Sequence, residues 1–197
     1  MEFDFSQPIN LENERVLLRP LEQKDFDELL PFSQNEPNLW EFSLTPAAGR
    51  ENLQTYIESA LLAKSKFECY PFVVFDKQTG QIAGSTRFYD IQTNHSVLSI
   101  GYTWYGKKFQ RTGLNRNCKL LLLTYAFEKL GAERVEFRAD LRNEKSIKAM
   151  KGIGCIQEGV LRSNCSASSG RRDSIVLSIL KTEWDQKVKA DLESSLY

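Results

Sequence analysis

Residues 100–130 read IGYTWYGKKFQRTGLNRNCKLLLLTYAFEKL, and this stretch decides the fold. From Ser99 to Tyr105, the β-branched and aromatic run Ile100, Tyr102, Thr103, Trp104 predicts a buried strand that Gly106 stops. After a turn rich in cations and amides, Leu114, Leu120, Leu121, Leu123, Ala126, Phe127 and Leu130 fall at helical spacing, with Gly131 as the stop. The helix therefore opens at Gln110 to Gly113. Unpaired backbone amides and the positive end of the helix dipole make such an opening a ready anion site, and glycine lets a ligand approach the backbone closely.

Charge is distributed to match. Between Gly106 and Phe127 there is no Asp or Glu, while Lys107, Lys108, Arg111, Arg116 and Lys119 all fall there, in a chain of 26 basic and 26 acidic residues. The ligand to look for carries phosphate. An ordinary connection with solvated lysines is the plain alternative, and a lone glycine at a helix start does not decide between them.

With 197 residues and 41% hydrophobic content, the chain is expected to fold as one domain spanning 1–197. No run approaches the roughly 18 apolar residues that a membrane span needs. The acidic start MEFDFSQPIN has no apolar secretory core, so a cytoplasmic protein without a membrane partner is expected. Cys69, Cys118, Cys155 and Cys165 show no CxxC pairing, and His95 is the single histidine. These residues predict reduced thiols, no metal centre and no Ser/His/Asp or Cys/His mechanism. The balanced net charge argues against nucleic acid as a partner.

Taken in order, ERVLLRPL (14–21) reads as a first strand. QKDFDELLPFSQ follows as a helix shortened or broken by Pro31, and 35–49 as a loop carrying Trp40 and Phe42. An amphipathic helix covers 50–66. Strands at 69–76, 81–91 and 97–105 form an antiparallel meander. The helix from Gly113 then carries the chain to a strand at 133–140, which can lie parallel to the one ending at Tyr105. The cation-rich turn thus falls at a carboxyl end of the sheet, where open α/β sheets bind ligands. A short helix capped by Asn143, strands at 155–162 and 172–180 around the polar loop 163–171, and a C-terminal helix complete seven strands of an α/β (α+β) fold.

That order, with QRTGLN at the head of the central helix, closely resembles the GCN5-related N-acetyltransferases (GNAT). Within them, LRPL and NEKSIKAMKGIGCIQEGVLR resemble the branch of ribosomal-protein N-terminal acetyltransferases, RimJ/RimL-like. The resemblance implies a single mixed, mostly antiparallel sheet flanked by helices, with a splayed parallel pair at the cofactor site. It also implies an acetyl-CoA-dependent acyltransferase acting on a primary amine, either a protein N-terminus or a small amine; a homodimer is left open. The alternatives are a small-molecule amine acetyltransferase and a non-catalytic acyl-CoA-binding or interaction module.

Residue by residue, the family's Q/R-x-x-G-x-G/A loop falls on Gln110, Arg111, Thr112, Gly113, Leu114 and Asn115, with Arg116 following; Asn115 stands where Gly or Ala is usual. Acetyl transfer needs a deprotonated amine, a polarised thioester carbonyl and a proton for the departing thiolate. The resemblance assigns carbonyl polarisation and pantetheine binding to the backbones of Thr103 and Trp104, cofactor binding to Asn143, and the proton to Ser146 as general acid. Local sequence alone favours plain capping by Asn143 with Ser146 in the first turn, and the resemblance reverses that preference. The general base is open among Glu41, Glu158 and Asp173, with Tyr105 or a water chain as substitutes.

Overall fold

A computed structural model describes residues 1–167 and 170–196. One sheet of eight strands runs through it, in the order β1-β2-β3-β4-β5-β6-β8-β7. The strands are β1 (Leu11–Glu12), β2 (Val16–Pro20), β3 (Cys69–Asp76), β4 (Gln81–Gln92), β5 (Val97–Tyr105), β6 (Arg134–Asp140), β7 (Ile156–Ala167) and β8 (Gly170–Leu180). The count is one above the expected seven. The extra strand is β1, two residues paired antiparallel with β2, too short to show an alternating pattern.

Helices α1 (Phe26–Asn35) and α2 (Arg50–Ser65) cover one face, and α3 (Leu114–Thr124) the other. Successive residues of β4 show this. Arg87 stacks on Tyr56 of α2, whereas Phe88 stacks on Tyr125 just beyond α3. Contrary to expectation, α1 runs through Pro31, held by burial of Leu29, Leu30, Phe32 and Ser33. The helix from 113 to 130 ends as a π turn, Tyr125–Lys129, before Gly131 at φ +72°. A short α4 (Glu144–Lys151) follows β6, and the C-terminal segment comprises α5 (Lys181–Glu183), a π turn and α6 (Lys189–Ser194).

Residues 163–167, 170 and 171 lie in strands rather than in the expected loop. β7 and β8 pair as far as Ala167 and Gly170, across a register shift between Leu161 and Cys165; Ser168 and Ser169 lie outside the described residues. β7 is exposed along most of its length, so it carries no hydrophobic alternation from which its extent could be read.

Two departures from regular pairing shape the centre. β5 and β6 are parallel for only three pairs, Val97 to Arg134 through Ser99 to Glu136. Beyond Ser99 and Glu136 the strands part and leave a wedge. Within it β5 bulges: Ser85 faces Trp104 and Arg87 faces Gly101, so Tyr102 and Thr103 together oppose Thr86, with Tyr102 at φ +52°.

Candidate active site

The wedge opens toward the carboxyl ends of β5 and β6, and the head of α3 stands at its mouth. After β5, a 3-10 turn (Lys107–Phe109) leads to Gln110, whose side-chain amide donates back to the Tyr105 carbonyl at 2.9 Å. Arg111 at φ +62° and Gly113 at φ +85° turn the chain into α3. The first helical hydrogen bond is Asn117 N–H to the Gly113 carbonyl, 3.2 Å. The six backbone amides from Arg111 to Arg116 therefore find no acceptor among the described residues. A Cβ built on Gly113 would meet nothing within 4 Å, so the space before these amides is open.

Lys107, Lys108, Arg111 and Arg116 are exposed around this opening. Lys108 bonds Gln81, and Arg116 donates to the Ser195 carbonyl at 3.3 Å. Asn115 uses its side chain inward, accepting from the Tyr105 hydroxyl at 3.2 Å, so its bulk does not stand in front of the amides. Consecutive free amides, a helix N-terminus and exposed cations together fit a diphosphate.

Inside the wedge, backbone groups of β5 beyond Ser99 lack a strand partner on the β6 side. Such groups suit a ligand that lies along the strand as a third ladder, as the amides of a pantetheine arm can. The Trp104 side chain is core instead: its ring lies 5.0 Å from Trp40 and 5.8 Å from Phe32. Trp40, read from sequence within the loop 35–49, is buried in that aromatic cluster, its indole N–H unpaired among the described residues.

On the far wall, Asn143 caps α4, its Oδ1 accepting from the Ser146 amide at 3.0 Å. The Ser146 hydroxyl makes no hydrogen bond among the described residues, so it is free to serve a ligand. Glu41 and Asp173 both lie in the field of Arg142, next to Asp140 at the open end of β6. Arg142 holds the Asp140 carboxyl below its ordinary range by hydrogen bonding. Arg172 reaches the Phe42 carbonyl at 3.4 Å, tying the segment after Trp40 to β8.

Glu158 sits elsewhere. It pairs with Arg134 at the closed end of the wedge and accepts from Ser178 at 2.5 Å; the Arg134 hydrogen bonds lower its pKa. A carboxyl so held is a poor base near neutral pH.

The burial of two cations in this region escaped the sequence reading. Arg87 is 5% exposed, its guanidinium sandwiched 4.5 Å from the Tyr56 ring and 4.1 Å from that of Tyr102, with Nε and Nη2 unpaired among the described residues. Lys119, grouped by sequence with the anion-site cations, is also 5% exposed and points into the protein, donating to Thr103 Oγ1 at 3.0 Å.

A sheet parted at a parallel pair, with a free-amide helix head at its mouth, makes an anion site at the carboxyl end of a mixed α/β sheet. The chain belongs to the acetyltransferase family described as Acetyltransferase (GNAT) domain, whose profile matches residues 15–156. A Bacillus subtilis (strain 168) protein provisionally named ribosomal N-acetyltransferase YdaF is 28% identical over 178 residues, 88% of this chain and 95% of the relative. A crystal structure of a provisionally named acetyltransferase from T. thermophilus is 34% identical over 98% of this chain and 99% of its own, with a TM-score of 0.86. A GCN5-related N-acetyltransferase from Brucella melitensis superposes with a TM-score of 0.89 at 25% identity, covering 98% and 88% of the two chains. Eight strands in one mostly antiparallel sheet flanked by helices match that architecture.

Proposed function

We propose that this chain is a cytoplasmic, single-domain N-acetyltransferase that moves the acetyl group of acetyl-CoA to a primary amine, with a protein N-terminus as the acceptor. The observation carrying this reading is the run of six unpaired amides from Arg111 to Arg116 at the mouth of the wedge. Acetyl-CoA supplies an activated thioester; the chain supplies position and charge. Gln110, Arg111, Thr112, Gly113, Leu114, Asn115 and Arg116 form the diphosphate cradle, which Gln110 and Asn115 brace from within through Tyr105. The backbones of Thr103 and Trp104 hold the arm and polarise the carbonyl, and Asn143 lines the opposite wall. Ser146 gives a proton to the departing sulfur, a task for which its unengaged hydroxyl is suited.

An α-amino group has a pKa of about 8, so part of it is neutral at physiological pH, whereas a lysine ε-amine near 10.4 needs a far stronger base. That favours an N-terminal acceptor in a site where Glu41 and Asp173 share the field of Arg142. The name of the Bacillus subtilis relative points the same way.

Peptides with a free α-amine, α-blocked peptides bearing lysine, and small polyamines, each offered with acetyl-CoA, test the proposal. Thiol release with the first class alone is expected; release only with polyamines would overturn the acceptor assignment. Gly113→Asp sets a carboxylate before the amides and should weaken coenzyme A binding by about tenfold or more, since it opposes the helix-end field. Unchanged affinity in the folded variant would remove the cradle from this loop.

A further inference from the structure

Where β5 and β6 part, on the α3 side of the sheet, stands Lys119. Its ammonium donates to Oγ1 of Thr103 on β5 at 3.0 Å and lies 5.8 Å from the ring of Phe137 on β6, one residue past the last parallel pair. It therefore sits between the diverging strands. The groups around it are neutral: Thr103 from β5, Phe137 from β6, Cys118 on its own helix and Cys155 just before β7. Burial pushes the two thiols up, to about 11 and about 12, so neither offers a counter-charge near neutral pH. Lys119 joins none of the ion pairs among the described residues.

An ammonium has three N–H donors, and among the described residues one is used. Mere filling of this position would favour Leu or Met, since neighbours Leu114, Cys118, Leu122 and Leu123 are all buried. A buried cation with two spare donors, set in the gap where a ligand's arm is to lie, is arranged to meet an electron-rich atom.

We propose that Lys119 contacts the sulfur end of the bound thioester arm and stabilises negative charge on sulfur as coenzyme A departs. This rests on the acetyl-CoA reading above. In the transfer, the amine nitrogen bonds the acetyl carbon and the carbon–sulfur bond breaks with its electron pair going to sulfur. The amine's surplus proton leaves to a base or solvent, and sulfur takes a proton from Ser146 or water. Lys119 keeps its own proton throughout and acts as a fixed positive charge. Burial lowers its pKa to about 8, which still leaves it mostly charged at pH 7.

The test reads the thiol of bound coenzyme A. A cation within about 4–6 Å lowers a neighbouring acid's pKa by about 1 to 3. Ultraviolet absorbance of the thiolate, followed against pH with coenzyme A bound, should therefore show it forming at lower pH than in free coenzyme A. Lys119→Met should abolish that shift while calorimetric affinity falls less than about tenfold, because the diphosphate cradle is untouched; Lys119→Arg should restore part of it. A bound thiol with the same pKa in wild type and Lys119→Met would overturn the proposal. Wild-type protein that binds no coenzyme A would instead overturn the acetyl-CoA reading itself. Lys119→Gln provides a second neutral variant should Lys119→Met fail to fold.

Discussion

A lysine enclosed by thiols, a hydroxyl and a phenyl ring carries a stability cost whose sign can be worked out. In the unfolded chain its ordinary pKa is 10.5, and in the folded protein burial lowers this to about 8. Below pH 8 both states hold the proton and the desolvation penalty is complete. Between about 8 and 10.5 the unfolded chain holds more protons, so stability rises with pH; above that the penalty is gone. The gap is on the order of 3 kcal/mol. Lys119→Met should therefore be the more stable protein at pH 7 by about that amount, with the advantage shrinking across pH 8 to 10.5, as denaturant midpoints would show. A destabilised variant at pH 7 would mean that the site around the ammonium is better solvated than its contacts imply. Ser146→Ala separates two roles in the same way. A first-turn serine costs at most about 1 kcal/mol, whereas loss of a proton donor should lower turnover by about 100-fold with acetyl-CoA affinity nearly unchanged. Single-turnover rates decide between them. The turn through Gln110 and Gly113 and the cap by Asn143 were legible in the sequence because turn and cap chemistry is local. Lys119 and Arg87 were not, since a cation's burial is decided by distant strands.

Among the elements, the approach of β4 to β5 sets the wedge. Gly84 lies so close to β5 that a Cβ there would stand 2.0 Å from the Trp104 carbonyl oxygen. Gly84→Ala must push the strands apart where Trp104 packs on Trp40 and Phe32. Its cost should exceed the roughly 1–3 kcal/mol of ordinary overpacking, since the obstacle is backbone and cannot rotate away. Thermal unfolding should show it, and coenzyme A affinity should fall with it; an unperturbed Tm would mean that β4 can slide without disturbing β5. The order of strands and helices was legible from β3 to α4, where short turns and buried apolar runs alternate. Pro31 misled because one missing hydrogen bond is outweighed by the apolar surface that α1 buries. The length of β7 was hidden because a strand exposed on both faces leaves no periodic burial trace.

At the scale of the molecule, both termini fold back onto the helix and sheet that form the site. Trp184 is fully buried, stacked 5.4 Å from Phe127 beyond α3, and Lys189 bonds Glu128 at 2.8 Å. Arg116, at the head of α3, reaches Ser195. At the other end, Phe3 and Phe5 pack by Tyr70 of β3. Composition foretold the size of the core but not these closures, which join residues far apart in sequence. Set in this tied-down frame, the amides from Arg111 to Arg116 have a further consequence for isotope labelling. With no acceptor among the described residues, they should take up deuterium almost as fast as an unstructured peptide, while their neighbours in α3 exchange slowly. Coenzyme A should silence that segment first, leaving a footprint that mass spectrometry can read without any acceptor or any turnover.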